Sequence, residues 1–177
     1  MNQSFSVAII LLSISFCAHS QSQSAKIISD FGVINSIPNA QELPDKDLDY
    51  KIVIDVIAGG KSSELNPGLN NIARVLNLHA EGGVSKENIQ IVAVIHSKAT
   101  PSILANEDYK EHFGINNPNE KLIKQLNEAG VKIVVCGQSI LASGYANNKI
   151  NENVSLSISA LTALTTYQLK GYVALKF

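Results

Sequence analysis

The sequence has no tryptophan, and only 6% of its 177 residues are aromatic. That argues against a carbohydrate-binding platform, which stacks sugars on flat rings. Neither sign of charge dominates, since 14 Lys and Arg face 15 Asp and Glu for a net charge of −1. No basic block interleaves with aromatics, so no nucleic-acid partner is expected. No two of the four histidines stand at metal-ligand spacing, and neither a metal nor a cofactor is expected. No Ser/His/Asp arrangement with a recognisable spacing occurs. The one long hydrophobic run, residues 7–17, is too short to span a bilayer comfortably, so no membrane span is expected in the mature chain.

That run has another use. Ala18-His19-Ser20 follows it and supplies small residues at −3 and −1 of a cut before Gln21. The pattern is that of a secretory signal peptide over residues 1–20, cut after Ser20, with a periplasmic or secreted product. Its one departure is Met1-Asn2-Gln3-Ser4, which carries no Lys or Arg. The chain has two cysteines. Cys17 falls in the leader, so the mature chain keeps Cys136 alone. A single cysteine cannot form an internal disulfide, and in an oxidising compartment it is buried, reactive or bridged between chains.

About 155 residues remain, enough for one domain with a real core. Residues 21–49 are polar and turn-rich, with Pro38, Pro44 and the cluster from Asp45 to Asp49. They read as an N-terminal arm or linker, whose Ile27, Ile28 and Phe31 could pack on a surface. From Tyr50 the pattern is regular, and residues 50–177 read as the folded domain. Residues 50–57, 89–95 and 131–135 are apolar, β-branched runs, as strands covered on both faces require. Weaker runs at 154–158 and 172–175 make about five strands. Between them, Asn66-Pro67-Gly68 starts a helix with Asn66 as N-cap and Pro67 at the first helical position. Gly82-Gly83 ends it. Further helices are expected near 101–104, over 119–129, over 139–143 and over 160–169. In the last, Leu161, Leu164 and Leu169 form the expected apolar side. His112 reads as part of a polar loop.

Alternating strands and helices specify an α/β fold with an open, mainly parallel sheet and helices on both faces, in a flavodoxin-like arrangement. Ligands in such sheets bind outside the carboxyl ends of the strands. Three features converge there: the loop from Gly59 to Gly68, His96 after the second strand, and Cys136 after the third. Gly59-Gly60-Lys61-Ser62 is not a phosphate loop, because Asp55 stands where the Walker spacing needs its first Gly.

Cys136 sits where a β-branched strand ends and a helix begins. A helix N-terminus lowers a cysteine pKa through its free amides, and the thiolate is the nucleophile. Gly137 lets the backbone turn and expose those amides. His96 has the chemistry of an acid, base or orienting donor. Asn66 and Gly68, at a helix start beside a glycine loop, and Gly137 and Gln138 are the candidate ligand-binding residues.

The order of these pieces, namely Asn66 to Asn71, Ile95-His96-Ser97, Gly130-Val131 followed by Cys136-Gly137-Gln138-Ser139, and the tail 160–177, resembles the DsrE/DsrF-like family. The resemblance covers about residues 50–177. It implies the open α/β sheet, assembly as homo- or hetero-oligomers, often trimers or hexamers, and sulfur relay by a persulfide on the cysteine at position 136. Any activity it implies is that of a sulfur carrier or sulfurtransferase rather than of a classical turnover enzyme. Its partners would be a sulfur donor or acceptor protein, or a small anionic ligand. The chain departs from the relay subunits in lacking an Arg pair before Gly144. The competing reading is a non-catalytic oligomeric module that binds a small ligand or a partner.

Overall fold

The three apolar runs form the centre of the sheet in a computed structural model, which describes residues 26–177. The signal-peptide reading and Cys17 lie outside the described residues. The strands are β1 (Tyr50–Val56), β2 (Ile89–Ile95), β3 (Lys132–Cys136), β4 (Val154–Ser157) and β5 (Val173–Lys176). All pairings are parallel, in the order β4-β3-β2-β1-β5. The helices are α1 (Pro67–Glu81), α2 (Asn106–Phe113), α3 (Glu120–Glu128), α4 (Gly137–Ala142) and α5 (Ala160–Leu169).

The strand order dictates the layers. From β1 to β4 the chain steps steadily across the sheet, so right-handed crossovers place the intervening helices on one face. The connection from β4 to β5 runs back past β1 to the other edge, which puts α5 on the opposite face. The two cores follow from the two-residue alternation of strands. Ile52, Ile54, Val56, Ile91, Ala93, Ile95, Ile133 and Val135 pack under α1, α3 and α4. Val53, Val92, Val94, Val134 and Cys136 pack under α5 through Ala160 and Ala163.

Helix α1 forms as its sequence specifies. The Asn66 side chain accepts a hydrogen bond from the Leu69 N–H, Pro67 occupies the first turn, and Gly82 closes the end. Leu69, Ile72 and Leu76 are fully buried, each stabilising the fold by about 1.5–3 kcal/mol. The buried polar Asn77 on this face is satisfied by the N-terminal arm. Its amide accepts from Ile28 N and donates to Ile28 O, Phe31 O and Gly32 O. Ile28 is thereby held in the core, so residues 26–34 pack against α1.

Three local expectations need correction. His112 lies within helix α2, not in a loop. That helix gives no apolar periodicity, because only Asp108 and Tyr109 on it are buried. Residues 101–103 belong to a longer 3-10 segment, Ser97–Ile103, and Leu104 is the extended residue that follows it. The buried side of α5 is Ala160 and Ala163, with Leu164 and Tyr167 packed beside them, whereas Leu161 and Leu169 are 78% and 89% exposed. Small residues face inward because a single helix lies close on a sheet of valines.

Candidate functional site

The site is built at the carboxyl edge of the sheet, on the α5 face. Cys136 ends β3 with extended backbone (φ −72°, ψ 115°) and caps α4. Alternation from Val134 therefore directs its side chain toward α5. His96 follows β2 with φ −157° and ψ −178°, which keeps it extended and on the same face as Val94. Its N–H continues the sheet ladder to Val56 O. Since Ile95 pairs with Val135, His96 lies laterally beside Cys136, one strand spacing of about 4.8 Å away.

The Cys136 thiol is 5% exposed. Burial pushes its pKa up, but hydrogen bonds to the sulfur outweigh burial and leave it below the ordinary thiol value. The groups responsible are the Ser139 hydroxyl and the backbone N–H groups of Ala160, Ser139 and Gln138, which surround the sulfur although its side chain closes no capping bond to α4. Gln138 and Ser139 belong to the first turn of α4, and Ala160 opens α5. Two helix starts thus converge on one sulfur, and amides and dipoles of that kind favour the anion.

Two backbone features hold this arrangement. Ser97 has φ +56°, a left-handed conformation that costs a non-glycine residue about 1 kcal/mol. It directs its N–H to Ser139 Oγ at 3.2 Å. With that lone pair occupied, the Ser139 hydroxyl proton is free to point at the sulfur. Gly137 allows β4 to approach, since a Cβ there would stand 2.7 Å from Ser157 O. Ser157 in turn donates through its hydroxyl to Val135 O.

Beside the thiol lies a pair that sequence reading missed. Asp55 of β1 points to the α5 face by alternation with Val53, and its Oδ1 is 2.6 Å from His96 Nε2. Lys176 of β5, in register with Asp55, places its Nζ 3.9 Å from Asp55 Oδ2. His96 and Asp55 are partly open to solvent, with side chains 25% and 19% exposed. The only signal for Asp55 in the sequence was an acid inside an otherwise buried apolar strand.

Cys136, His96, Gly137 and the backbone of Gln138 therefore come together, while the Gln138 side chain is exposed. Asn66 and Gly68 lie on the other face of the sheet, at the start of α1. Asn66 is 3% exposed and fully engaged. It caps Leu69, donates to Ala58 O, and its N–H bonds Asn119 Oδ1. Gly68 sits against Val56, where a Cβ would come within 2.5 Å of Val56 Cγ1. Near them is a separate pocket of about 80 Å³ lined by Lys61, Glu64, Asn66, Lys98, Tyr109 and Asn119, among others. Among the described residues no group of three or more His, Cys, Asp and Glu is placed to hold a metal ion. No helix among them is long and apolar enough to cross a membrane.

Comparison with known proteins places this geometry in context. Residues 51–177 match the model of the DsrE/DsrF-like family. No curated protein matches. Among solved structures, the chain is similar to MTH1491 of Methanobacterium thermoautotrophicum, a protein of unknown function. The TM-score is 0.56 at 16% identity, over 73% of this chain and 100% of that one. It is also similar to the ychN protein of E. coli, with a TM-score of 0.49 at 17% identity, over 72% of this chain and 99% of that one. The first likeness establishes the same fold.

Proposed function

The chain belongs to the DsrE/DsrF-like family, and from that premise we propose that it is an exported sulfur carrier whose Cys136 holds sulfur as a persulfide. One observation carries the reading: the thiol lies where the starts of α4 and α5 meet, and the Ser139 hydroxyl and the N–H groups of Ala160, Ser139 and Gln138 around it hold its pKa below the ordinary value against the effect of burial. The thiolate attacks the terminal sulfur of a persulfide donor R–S–SH. A new S–S bond forms to Cys136, the donor's S–S bond breaks, and its electron pair leaves with the thiolate RS⁻. The transferred sulfur keeps its oxidation state, so no oxidant is needed. The bound Cys–S–SH is an anion once its S–H proton passes to solvent, and the same polar groups stabilise it. Transfer to an acceptor thiol is the reverse step with a new partner.

The leader over residues 1–20 directs the carrier to the periplasm or the exterior, and the mature chain works as a homo-oligomer. Support for assembly comes from the apolar side chains left exposed on and beside α5: Ile158, Leu161, Leu169 and Val173 are 63–89% exposed. An exposed apolar patch of this kind marks an interaction surface. The test of carriage is cyanolysis. Protein loaded with polysulfide and freed of excess releases thiocyanate, one per chain, and the Cys136→Ser variant releases none. Equal release from both would reject the carrier reading.

A second reading rests on the pocket beside α1. Lys61 at its wall is paired with Glu64, which also lines it, so Lys98 is the group there that would meet a small anion, and the domain would then be a binding module independent of the thiol. In that case Cys136→Ser leaves anion binding intact, whereas a large loss of binding with unchanged folding rejects it.

A further inference from the structure

We infer that Asp55 is a positioning residue, which sets His96 to protonate the thiolate expelled when Cys136 takes sulfur. The inference rests on the carrier reading above. Three adjacent parallel strands contribute to the α5 face at this edge: Cys136 from β3 and His96 after β2 side by side, and Asp55 from β1, level with Val94, on the diagonal to His96. The groups that lower the Cys136 pKa belong to Ser139, Ala160 and Gln138, while the His96 ring is engaged by Asp55, so the thiol does not depend on His96 for activation. His96 stands one strand spacing to the side and is more open to solvent than the thiol. That is the place for the leaving half of a donor rather than for the sulfur being kept.

A carboxylate on one ring nitrogen fixes both the tautomer and the orientation of an imidazole. Asp55 Oδ1, 2.6 Å from Nε2, accepts the Nε2–H and leaves Nδ1 as the nitrogen that exchanges a proton with the donor. The electron pair released with RS⁻ takes the Nδ1 proton, giving RSH and neutral His96, which regains a proton from solvent. Lys176 is the other charged group at this pair, 3.9 Å from Asp55 Oδ2. Helix α5 covers the face without a charged residue, and Tyr167 is its only titratable side chain. The carboxylate is thus held between a cation on β5 and the ring of His96 just after β2.

The test compares two donors on the mature protein, residues 21–177, in which Cys136 is the one cysteine. An alkyl persulfide expels a basic thiolate that needs a proton. An aromatic disulfide reacts with the same Cys136 but expels a thiolate stable without one. Asp55→Asn is expected to slow loading from the alkyl persulfide about tenfold or more, in line with general-acid contributions, and to leave the aromatic disulfide rate within about twofold. Asp55→Glu restores part of the lost rate. His96→Gln gives the same donor-selective loss, and this holds the test open if Asp55→Asn fails to fold. Equal slowing with both donors, or slowing with neither, overturns the assignment. If the wild-type protein reacts with the aromatic disulfide but takes no sulfur from any persulfide, the carrier reading fails and takes this inference with it.

Discussion

Removal of the Ser139 hydroxyl should cost Cys136 most of its nucleophilicity near neutral pH. The hydroxyl is the only side-chain donor among the groups that lower the thiol pKa, and Ser97 N–H orients it from behind. A hydrogen bond to a charged acceptor contributes about 1.5–3 kcal/mol. Water is a poor replacement at a residue 5% exposed. Since about 1.4 kcal/mol is a factor of ten, Ser139→Ala should lower the thiolate fraction about 10- to 100-fold at any pH below the wild-type midpoint. The assay is the rate of iodoacetamide alkylation against pH. The variant's curve should move to higher pH and reach the same plateau, and Ser139→Thr, which keeps the hydroxyl, should stay near wild type. Stability supplies a second reading with a definite sign. A thiol whose pKa is lower in the folded than in the unfolded chain stabilises the fold above the unfolded value. That contribution fades as pH falls through the folded value. Ser139→Ala should therefore reduce Tm more at alkaline than at acidic pH. An unmoved alkylation midpoint, in a variant with wild-type circular dichroism, would refute the account of the thiol.

Asn77→Ala removes the amide that binds four backbone groups of the arm. It should destabilise the protein by about 2–4 kcal/mol in denaturant unfolding, and expose residues 26–34 to limited proteolysis before the core. Gly137→Ala places a Cβ 2.7 Å from the backbone oxygen of Ser157. It should cost about 1–3 kcal/mol and slow alkylation of Cys136 by moving β4 and the start of α5. The double change Leu161→Ser and Leu169→Ser, at positions 78% and 89% exposed, should leave Tm of the isolated chain nearly unchanged while shifting the mass by light scattering toward the monomer. A wild-type protein that is already a strict monomer contradicts the assembly proposal.

What could be read directly from the sequence followed from burial on both faces. β1, β2 and β3 are continuous apolar runs because helices cover both sides of them, and α1 carries its cap, its proline and its apolar spacing together. Helix α2 is hidden because its sequence Asn106–Phe113 is mostly polar and lies on the surface, tied down by Tyr109 and by the ion pair of Asp108 with Lys149. α5 was found but turned the wrong way, since leucine is the stronger apolar signal and the close helix-sheet contact uses alanine instead. Cys136 and His96 were legible as strand ends. Asp55 was not, because only the strand order brings β1 beside β2 and the side-chain parity that joins Asp55 to His96. The role of Ser139 likewise depends on the left-handed Ser97, which no local pattern announces.

The most direct measurement is mass spectrometry of the intact protein and its peptides after exposure to a persulfide or polysulfide donor, with alkylation of untreated protein as the control for access. The account predicts one added sulfur atom per chain, located on Cys136, removed by reductant and absent from Cys136→Ser. A Cys136 that iodoacetamide alkylates readily but that takes no sulfur from any donor would contradict it.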